Sequence, residues 1–218
     1  MRAVDGYAIL VAILAYLVSL SVHESAHAWV ALRLGDPTGQ RLGRVSLNPA
    51  RHVDPVGTVL LPLLLAWSSH GQVIFGYAKP VPYNPYLMRN PQLGAATVAA
   101  AGPASNFVLA LVAAVLLGLL APDARLGGTL GLDFLFRLVT VNVALGVFNL
   151  VPLPPLDGGT IVAGLLPRRA GPAWARLELL APVVLVALMA TGTLGRIIGP
   201  AMERAVEFLL RLAWSLRG

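Results

Sequence analysis

Cysteine is absent from this sequence, and lysine occurs once, as Lys79. Without cysteine the chain has no disulfide, no thiolate metal ligand and no cysteine nucleophile, so a metal site would have to use His, Asp and Glu. Charged residues make up only 12% of the chain. That is about half of the share typical of soluble domains, which argues against an ordinary soluble protein.

Apolar residues dominate instead, at 57% of the chain, with a mean hydropathy of +0.76. The composition predicts an integral membrane protein with about four to six spans of about 20 residues each. We expect a single membrane-embedded domain over residues 1–218, with a core at about 7–166 and C-terminal helices at 174–216. The net charge of +6 is carried mainly by arginine, which favours cytoplasmic loops and lipid headgroups over nucleic acid as partners.

The first apolar helix, predicted from Tyr7 to Leu32, contains His23, Glu24 and His27 in the pattern H-E-x-x-H. Positions i and i+4 share one helix face, so both imidazoles can bind one zinc ion while Glu24 takes a proton from water. A chance pattern on a solvated helix is the alternative, but ionisable residues inside an apolar segment are costly. The segment is too long for a cleavable signal peptide, and we expect it to stay as a membrane anchor.

Four further segments are predicted to be helical. Blocks at about 92–120, 134–150 and 175–191 are apolar enough to cross a membrane, and Pro103 is expected to kink the first of them. The basic stretch 197–216 predicts an amphipathic helix at the membrane interface. The chain therefore belongs by prediction to the all-α class, as a polytopic helical bundle.

The region 56–92 is predicted to differ from these spans. Its apolar run 56–67 is too short to cross a bilayer as a helix. The stretch 73–85 is rich in aromatic and β-branched residues but contains prolines, which favours an edge strand or loop. We expect a small membrane-associated β or re-entrant segment here, with an exposed strand edge that could hold an unwound substrate.

Asp157 follows a proline-rich break between two apolar segments and precedes Gly158 and Gly159. Taken alone, it is equally well explained as the N-cap of a short helix ending near Leu166 or as a metal ligand at a discontinuous helix. Catalytic zinc usually has three protein ligands, and the two histidines leave one position to fill, which favours Asp157 as the third. Three rival carboxylates remain: Glu178, Glu203 and Glu207.

The combination of His-Glu-x-x-His in the first span with the later Asn149-x-x-Pro152-x-Pro154-Pro155-Leu156-Asp157-Gly158-Gly159 resembles the site-2 proteases. These are zinc intramembrane metalloproteases, peptidase family M50, here in the compact form without a PDZ domain. Three other stretches are similar to segments of that group: His52-x-Asp54-Pro55-x-Gly57, residues 76–85 and Ala101-Gly102-Pro103-x-Ser105-Asn106.

The resemblance implies a three-helix catalytic core and one Zn²⁺ per chain, bound by His23, His27 and Asp157. It implies Glu24 as the general base and Asn149 as a residue that holds the substrate backbone or the developing oxyanion, and we assign Asn106 to the same group. The expected activity is hydrolysis of peptide bonds within or near transmembrane segments of membrane protein substrates. The sequence leaves open whether the chain forms a homo-oligomer.

Two alternatives remain from other classes. A membrane transporter with a midplane metal site would be expected to show inverted repeats, and none is found in the sequence. A non-proteolytic scaffold of the same fold would be expected to have lost Glu24 or a ligand, and all are present.

Arginine-rich loops at 33–51 and 168–169 predict a cell-membrane protein with its N-terminus outside and its active site toward the cytoplasm. This topology requires 56–92 to be re-entrant. Five other polar or aromatic side chains receive structural interpretations. His52 and Asp54 are expected to belong to a loop that caps a helix, His70 to a turn, and Tyr83 and Tyr86 to the interfacial aromatics.

Overall fold

The computed structural model describes residues 6–60, 64, 76, 78–121 and 129–215. Seven α-helices occur in these ranges: α1 Gly6–Arg33, α2 Thr38–Arg41, α3 Pro91–Leu120, α4 Leu130–Asn149, α5 Asp157–Leu165, α6 Gly171–Ala190 and α7 Thr193–Ser215. Short helical turns lie at Pro49–Arg51, Pro55–Leu60, Pro85–Leu87 and Arg168–Ala170. The described residues contain no strand, so this part of the chain is all-α as predicted.

Four helices, α1, α3, α4 and α6, are long and apolar enough to cross a membrane. All four coincide with predicted spans, but α4 and α6 begin before their predicted first residues. Thr129 caps α4 by accepting a hydrogen bond from the Leu132 amide through its hydroxyl. Pro172 lies in the first turn of α6, where its missing N–H costs no hydrogen bond. Local capping chemistry thus moves both starts upstream.

Helices α1, α3 and α4 pack together through small and β-branched side chains. Ala15 of α1, Ala110 and Ala114 of α3, and Val139 and Val143 of α4 are all buried in one cluster. Small residues let helix backbones approach closely in a membrane protein. Because Ala15 meets the second half of α3 while His27 contacts Val98 in its first half, α1 and α3 are antiparallel.

The amphipathic helix α7 packs along this bundle, and its position at the membrane interface stays a prediction. Near its start, Leu194 packs with Leu156 and Leu185. Near its end, Ala213 comes so close to Gly118 of α3 that a Cβ on Gly118 would lie 2.2 Å from the Ala213 carbonyl oxygen. The small residues Gly118 and Ala213 let α7 pack lengthwise against α3. The charge content of α7 alone does not predict this packing.

The region 56–92 is only partly described. Asp54 accepts hydrogen bonds from the amides of Val56 (2.9 Å) and Gly57 (2.7 Å) and so caps the turn that follows, as predicted. Residues 78–84 form neither helix nor strand. The rest of the predicted β or re-entrant segment, including residues 65–75 and 77, lies outside the described residues.

The loop after α1 is fixed by a buried carboxylate. Gly35 adopts a φ of 105°, a left-handed conformation that favours glycine. Asp36 then accepts hydrogen bonds from Thr38 (amide, 2.9 Å) and from the amide of Asn84 (2.6 Å), which joins this loop to the segment before α3. Burial acts to raise the pKa of Asp36, but these hydrogen bonds outweigh it and hold the pKa below its ordinary value.

Candidate metal centre

Three side chains from distant parts of the sequence meet at one point. The Nε2 atoms of His23 and His27 lie 3.0 Å apart. The Asp157 carboxylate reaches both, with Oδ2 at 3.2 Å from His23 Nε2 and Oδ1 at 3.5 Å from His27 Nε2. Among the described residues, this is the group of His, Asp and Glu side chains that could hold a metal ion.

The second nitrogen of each imidazole already has a partner. His23 Nδ1 lies 2.6 Å from Asn106 Oδ1, and His27 Nδ1 lies 2.7 Å from the carbonyl oxygen of Val98. A carbonyl oxygen only accepts, so both Nδ1 atoms donate, and each neutral ring keeps its lone pair on Nε2. Metal-binding histidines are commonly oriented in this way.

The geometry fits zinc. Ligand atoms at 2.0–2.1 Å from a tetrahedral zinc ion lie about 3.3 Å from one another, close to the three separations found here. With both rings protonated on Nδ1, two Nε2 lone pairs and a carboxylate face each other, an arrangement that a cation would stabilise. Asp157 Oδ2 is also buried without a hydrogen-bond partner, and burying such an atom unpaired is costly.

The position of Asp157 follows from the proline-rich break before α5. Prolines at 152, 154 and 155 prevent a continuous helix, so α5 starts afresh at Asp157. The N-cap of α5 is Leu156, and no side chain caps this helix. The interpretation of Asp157 as an ordinary N-cap is therefore wrong.

A glycine makes room for the backbone at this break. A Cβ on Gly158 would lie 2.3 Å from the carbonyl oxygen of Val151. The break can therefore fold back on itself only with glycine at this position.

Glu24 and Asn149 share a cavity of about 520 Å³ with the three candidate ligands. Its walls also include Tyr83. The Asn149 amide donates one hydrogen bond to the carbonyl oxygen of Leu145 at 3.0 Å, which leaves its second N–H for another acceptor. Both residues therefore line the same cavity as the cluster, and their catalytic roles stay predictions.

Asn106 lies elsewhere. It has no exposed surface and does not line the cavity. Its Oδ1 atom accepts from His23, and its Nδ2 atom donates to Oδ1 of Asn142 at 2.7 Å. The structure thus places Asn106 behind His23, whereas the sequence interpretation placed it among the substrate-binding residues.

Asn142 and Gly102 were missed as parts of the site. Asn142 is fully buried within apolar α4, and an isolated amide in such a helix is a signal that sequence reasoning can use. Gly102 faces both imidazoles, since a Cβ there would lie 2.5 Å from His27 Nε2 and 2.6 Å from His23 Nε2. Gly102 stands beside Pro103 in the sequence, but its contact with the imidazole rings cannot be read from the sequence.

The three glutamates that were rival candidates for the third ligand lie away from the cluster. Glu178 and Glu203 are exposed, and Glu207 pairs with Arg211 at 2.6 Å, so none of these glutamates joins the cluster. His52 is fully buried, with its Nε2 atom 2.6 Å from the carbonyl oxygen of Ser46. Tyr83 lines the cavity, which differs from its predicted place among the interfacial aromatics. Tyr86 is 84% exposed, which agrees with that prediction, and His70 lies outside the described residues.

The chain is similar to known proteins along most of its length. A model of the family described as Peptidase family M50 matches residues 124–191, which include Asp157. The Bacillus subtilis protein named "Putative zinc metalloprotease YwhC" is 34% identical over 204 residues, covering 92% of this chain and 89% of that protein. No solved structure matches the chain significantly.

Two mycobacterial proteins with the same kind of name are also similar. Rip2 of Mycolicibacterium smegmatis is 33% identical over 66% of this chain and 52% of its own length. Rip3 of Mycobacterium tuberculosis is 30% identical over 79% of this chain and 36% of its own length. The chain therefore spans about half of the first and about a third of the second.

Proposed function

Since the chain belongs to the site-2 protease family, peptidase family M50, we propose that it is a zinc metalloprotease that hydrolyses peptide bonds within membrane protein substrates. Its four apolar helices and its family make it a multi-pass membrane protein. The observation that carries the proposal is the meeting of His23, His27 and Asp157 beside Glu24 in one cavity.

In this proposal the two Nε2 atoms and the Asp157 carboxylate hold one zinc ion. Zinc held there supplies a Lewis acid, which polarises a carbonyl group and lowers the pKa of water. The Glu24 carboxylate takes a proton from the attacking water as the water oxygen bonds to the peptide carbon. Glu24 then delivers that proton to the amine nitrogen as the C–N bond breaks, leaving a carboxylic acid and an amine.

Asn149, which lines the same cavity, supports this reaction. Its second amide N–H is available to donate to the substrate carbonyl, where negative charge develops. The cavity also contains the apolar side chains of Leu20, Phe148 and Leu185, which exclude water from the peptide bond. Asn106 acts in this proposal through His23 and does not contact substrate.

The depth of the site supports a transmembrane substrate. His23 lies about 15 Å of helix before the end of α1 at Arg33, so the cluster is below the level at which α1 leaves the bilayer. A transmembrane helix keeps its carbonyls in internal hydrogen bonds, and it must unwind locally before one can reach the cluster.

Charge supports a cytoplasmic orientation of the site. Arg41, Arg44 and Arg51 follow the end of α1 that is nearer to the histidines. Loops rich in arginine favour the cytoplasmic side of the cell membrane. The active site would then open toward the cytoplasm.

The substitution Glu24→Gln tests the function. The amide keeps the shape of Glu24 but cannot take a proton, so we expect zinc content to be retained and cleavage to fall by about 100-fold to 10,000-fold. Mass spectrometry of cell membranes should then show peptides that accumulate with Glu24→Gln and not with the native protein. The matched control is Glu178→Gln, which changes an exposed glutamate of α6.

Two results would contradict the proposal. One is a native protein that retains no zinc after gentle purification. The other is an identical set of membrane peptides with native protein and Glu24→Gln, which would remove hydrolysis as the function of the site even if zinc is bound.

A further inference from the structure

Buried polar side chains connect the metal centre to α4. Asn106 joins His23 to Asn142 through contacts of 2.6 Å and 2.7 Å. Asn142 Nδ2 in turn lies 2.8 Å from the carbonyl oxygen of Leu138 and 2.8 Å from Ser19 Oγ. We propose that Asn142 is a positioning residue that makes His23 a zinc ligand by fixing the direction of these hydrogen bonds, an inference that rests on the proposed function.

The direction of these hydrogen bonds is set at Asn142, which lies farther from the candidate ligands than Asn106 does. The carbonyl oxygen of Leu138 can only accept, so the Asn142 atom that faces it must be the amide NH₂ group. Ser19 agrees with this orientation, because its hydroxyl donates to the carbonyl oxygen of Ala15 at 2.7 Å and so accepts from Asn142. The two backbone carbonyls therefore leave the Asn142 Oδ1 atom facing α3.

The same direction passes through Asn106 to the imidazole. Because Asn142 presents an oxygen, Asn106 must present its NH₂ group to Asn142 and its own oxygen to His23. That oxygen accepts from His23 Nδ1, so the proton stays on Nδ1 and the lone pair on Nε2 faces the other ligands. Asn106 and Asn142 have no exposed surface, so bulk water does not compete for these bonds.

Asn106 alone does not determine this orientation. The two ends of its amide have nearly the same shape, and either end could face His23 if nothing fixed the other. The carbonyl oxygen of Ser19 lies 3.4 Å from Asn106 Nδ2, a long contact that favours the same orientation weakly, so the 2.7 Å contact with Asn142 is the main constraint. With the NH₂ group toward Nδ1, the ring would carry its proton on Nε2, where it would block zinc binding. Asn142 opposes that second arrangement more strongly than the longer Ser19 contact does.

Two nearly isosteric substitutions separate positioning from packing. Asn142→Asp, with the O–H of its protonated carboxyl donating to the Leu138 carbonyl oxygen in place of the amide, still presents an oxygen to Asn106, so the direction is kept. Asn142→Leu fills the same space but presents no polar atom, so only the long contact with the Ser19 carbonyl oxygen still opposes the second orientation of Asn106. A buried carboxyl is also more costly to the fold than a buried leucine. We therefore expect Asn142→Asp to bind zinc more tightly than Asn142→Leu but to be the less stable of the two.

The experiment measures zinc dissociation constants by competition with a chelator and thermal unfolding of the metal-free proteins in the same detergent. We expect zinc binding by Asn142→Asp within about threefold of native and weakening by Asn142→Leu of about tenfold or more, as for residues that orient metal ligands. Asn142→Leu should nevertheless unfold at a temperature equal to or above that of Asn142→Asp. Asn142→Ala gives the same comparison if the leucine variant does not fold.

A spectroscopic measurement reports the ring directly. In metal-free protein at a pH where the imidazoles are neutral, ¹⁵N NMR of His23, assigned with His23→Gln, should show an unprotonated Nε2 in native protein and Asn142→Asp. Asn142→Leu should show a mixture of the two tautomers. The chain has four histidines, so the signals can be assigned one by one.

The outcomes distinguish this inference from the function on which it rests. If native protein binds zinc through His23 and Asn142→Leu binds it equally well with the same tautomer, the positioning role is overturned while the metal centre stands. If affinity simply follows stability across the variants, Asn142 is a packing residue. If native protein binds no zinc at all, the proposed function fails and the inference fails with it.

Discussion

At the scale of single residues, the two imidazoles can meet because Gly102, which faces them, has no side chain. A Cβ there would lie 2.5 Å from His27 Nε2 and 2.6 Å from His23 Nε2, so Gly102→Ala must push the rings away from their common point. We expect zinc affinity to fall by about tenfold to 100-fold, the range for residues that orient ligands. Zinc competition titration measures this loss.

Gly94→Ala is the control for Gly102→Ala on the same helix. Its Cβ would meet the sulfur of Met88 at 2.5 Å, and methionine is flexible enough to move. Zinc affinity should therefore stay at the native value. Equal zinc binding by Gly102→Ala and native protein would show that the rings are not held where the structure places them.

At the scale of secondary-structure elements, the carboxylate of Asp36 fixes the loop between α1 and α2 against Asn84. Its pKa is lowered in the folded chain, so its stabilising effect is complete above the unfolded value of about 3.9 and is lost as pH falls through the lower folded value. We expect Asp36→Asn to cost about 1–3 kcal/mol of unfolding free energy near neutral pH. The difference from native protein should shrink in strongly acidic solution.

Thermal unfolding of both proteins across a pH series checks this expectation. Asp54→Asn is a suitable control, since Asp54 caps only a local turn and does not join two elements. The contrary result is a stability difference between native protein and Asp36→Asn that grows as the solution becomes acidic. That result would have the wrong sign for a carboxylate with a lowered pKa.

At the scale of the whole molecule, the metal centre would join the first helix to the break before α5. A ligand that binds only the folded state stabilises it, by about 2.7 kcal/mol at a free concentration 100 times its dissociation constant. We expect zinc to raise the unfolding temperature of the native protein and to have no such effect on Asp157→Asn. Calorimetry or a thermal shift assay with and without chelator measures both.

His52→Gln is the matched control for this experiment. His52 is fully buried but bonds to Ser46, away from the cluster, so its loss should lower the unfolding temperature and leave the zinc-dependent rise intact. A zinc effect of the same size in Asp157→Asn and native protein would place the ion somewhere other than this cluster.

The sequence predicted those features that depend on neighbouring residues. His23 and His27 share a helix face because they are four residues apart, and prolines before Asp157 end a helix wherever they occur. By contrast, Asn142 contributes only because α4 packs beside α3, and no local pattern states which side of α4 faces Asn106. The lengthwise position of α7 was missed for the same reason, since it depends on the close crossing of Gly118 and Ala213.

The candidate ligands lie far apart in the sequence, in the first helix and at the start of α5, which has a consequence for biosynthesis. A ribosome makes His23 and His27 long before it makes Asp157, so the two imidazoles must enter the bilayer as an unfinished pair. The site becomes complete only when most of the chain has been translated and inserted. Partial chains released early would therefore lack the carboxylate and be unable to cut neighbouring nascent proteins.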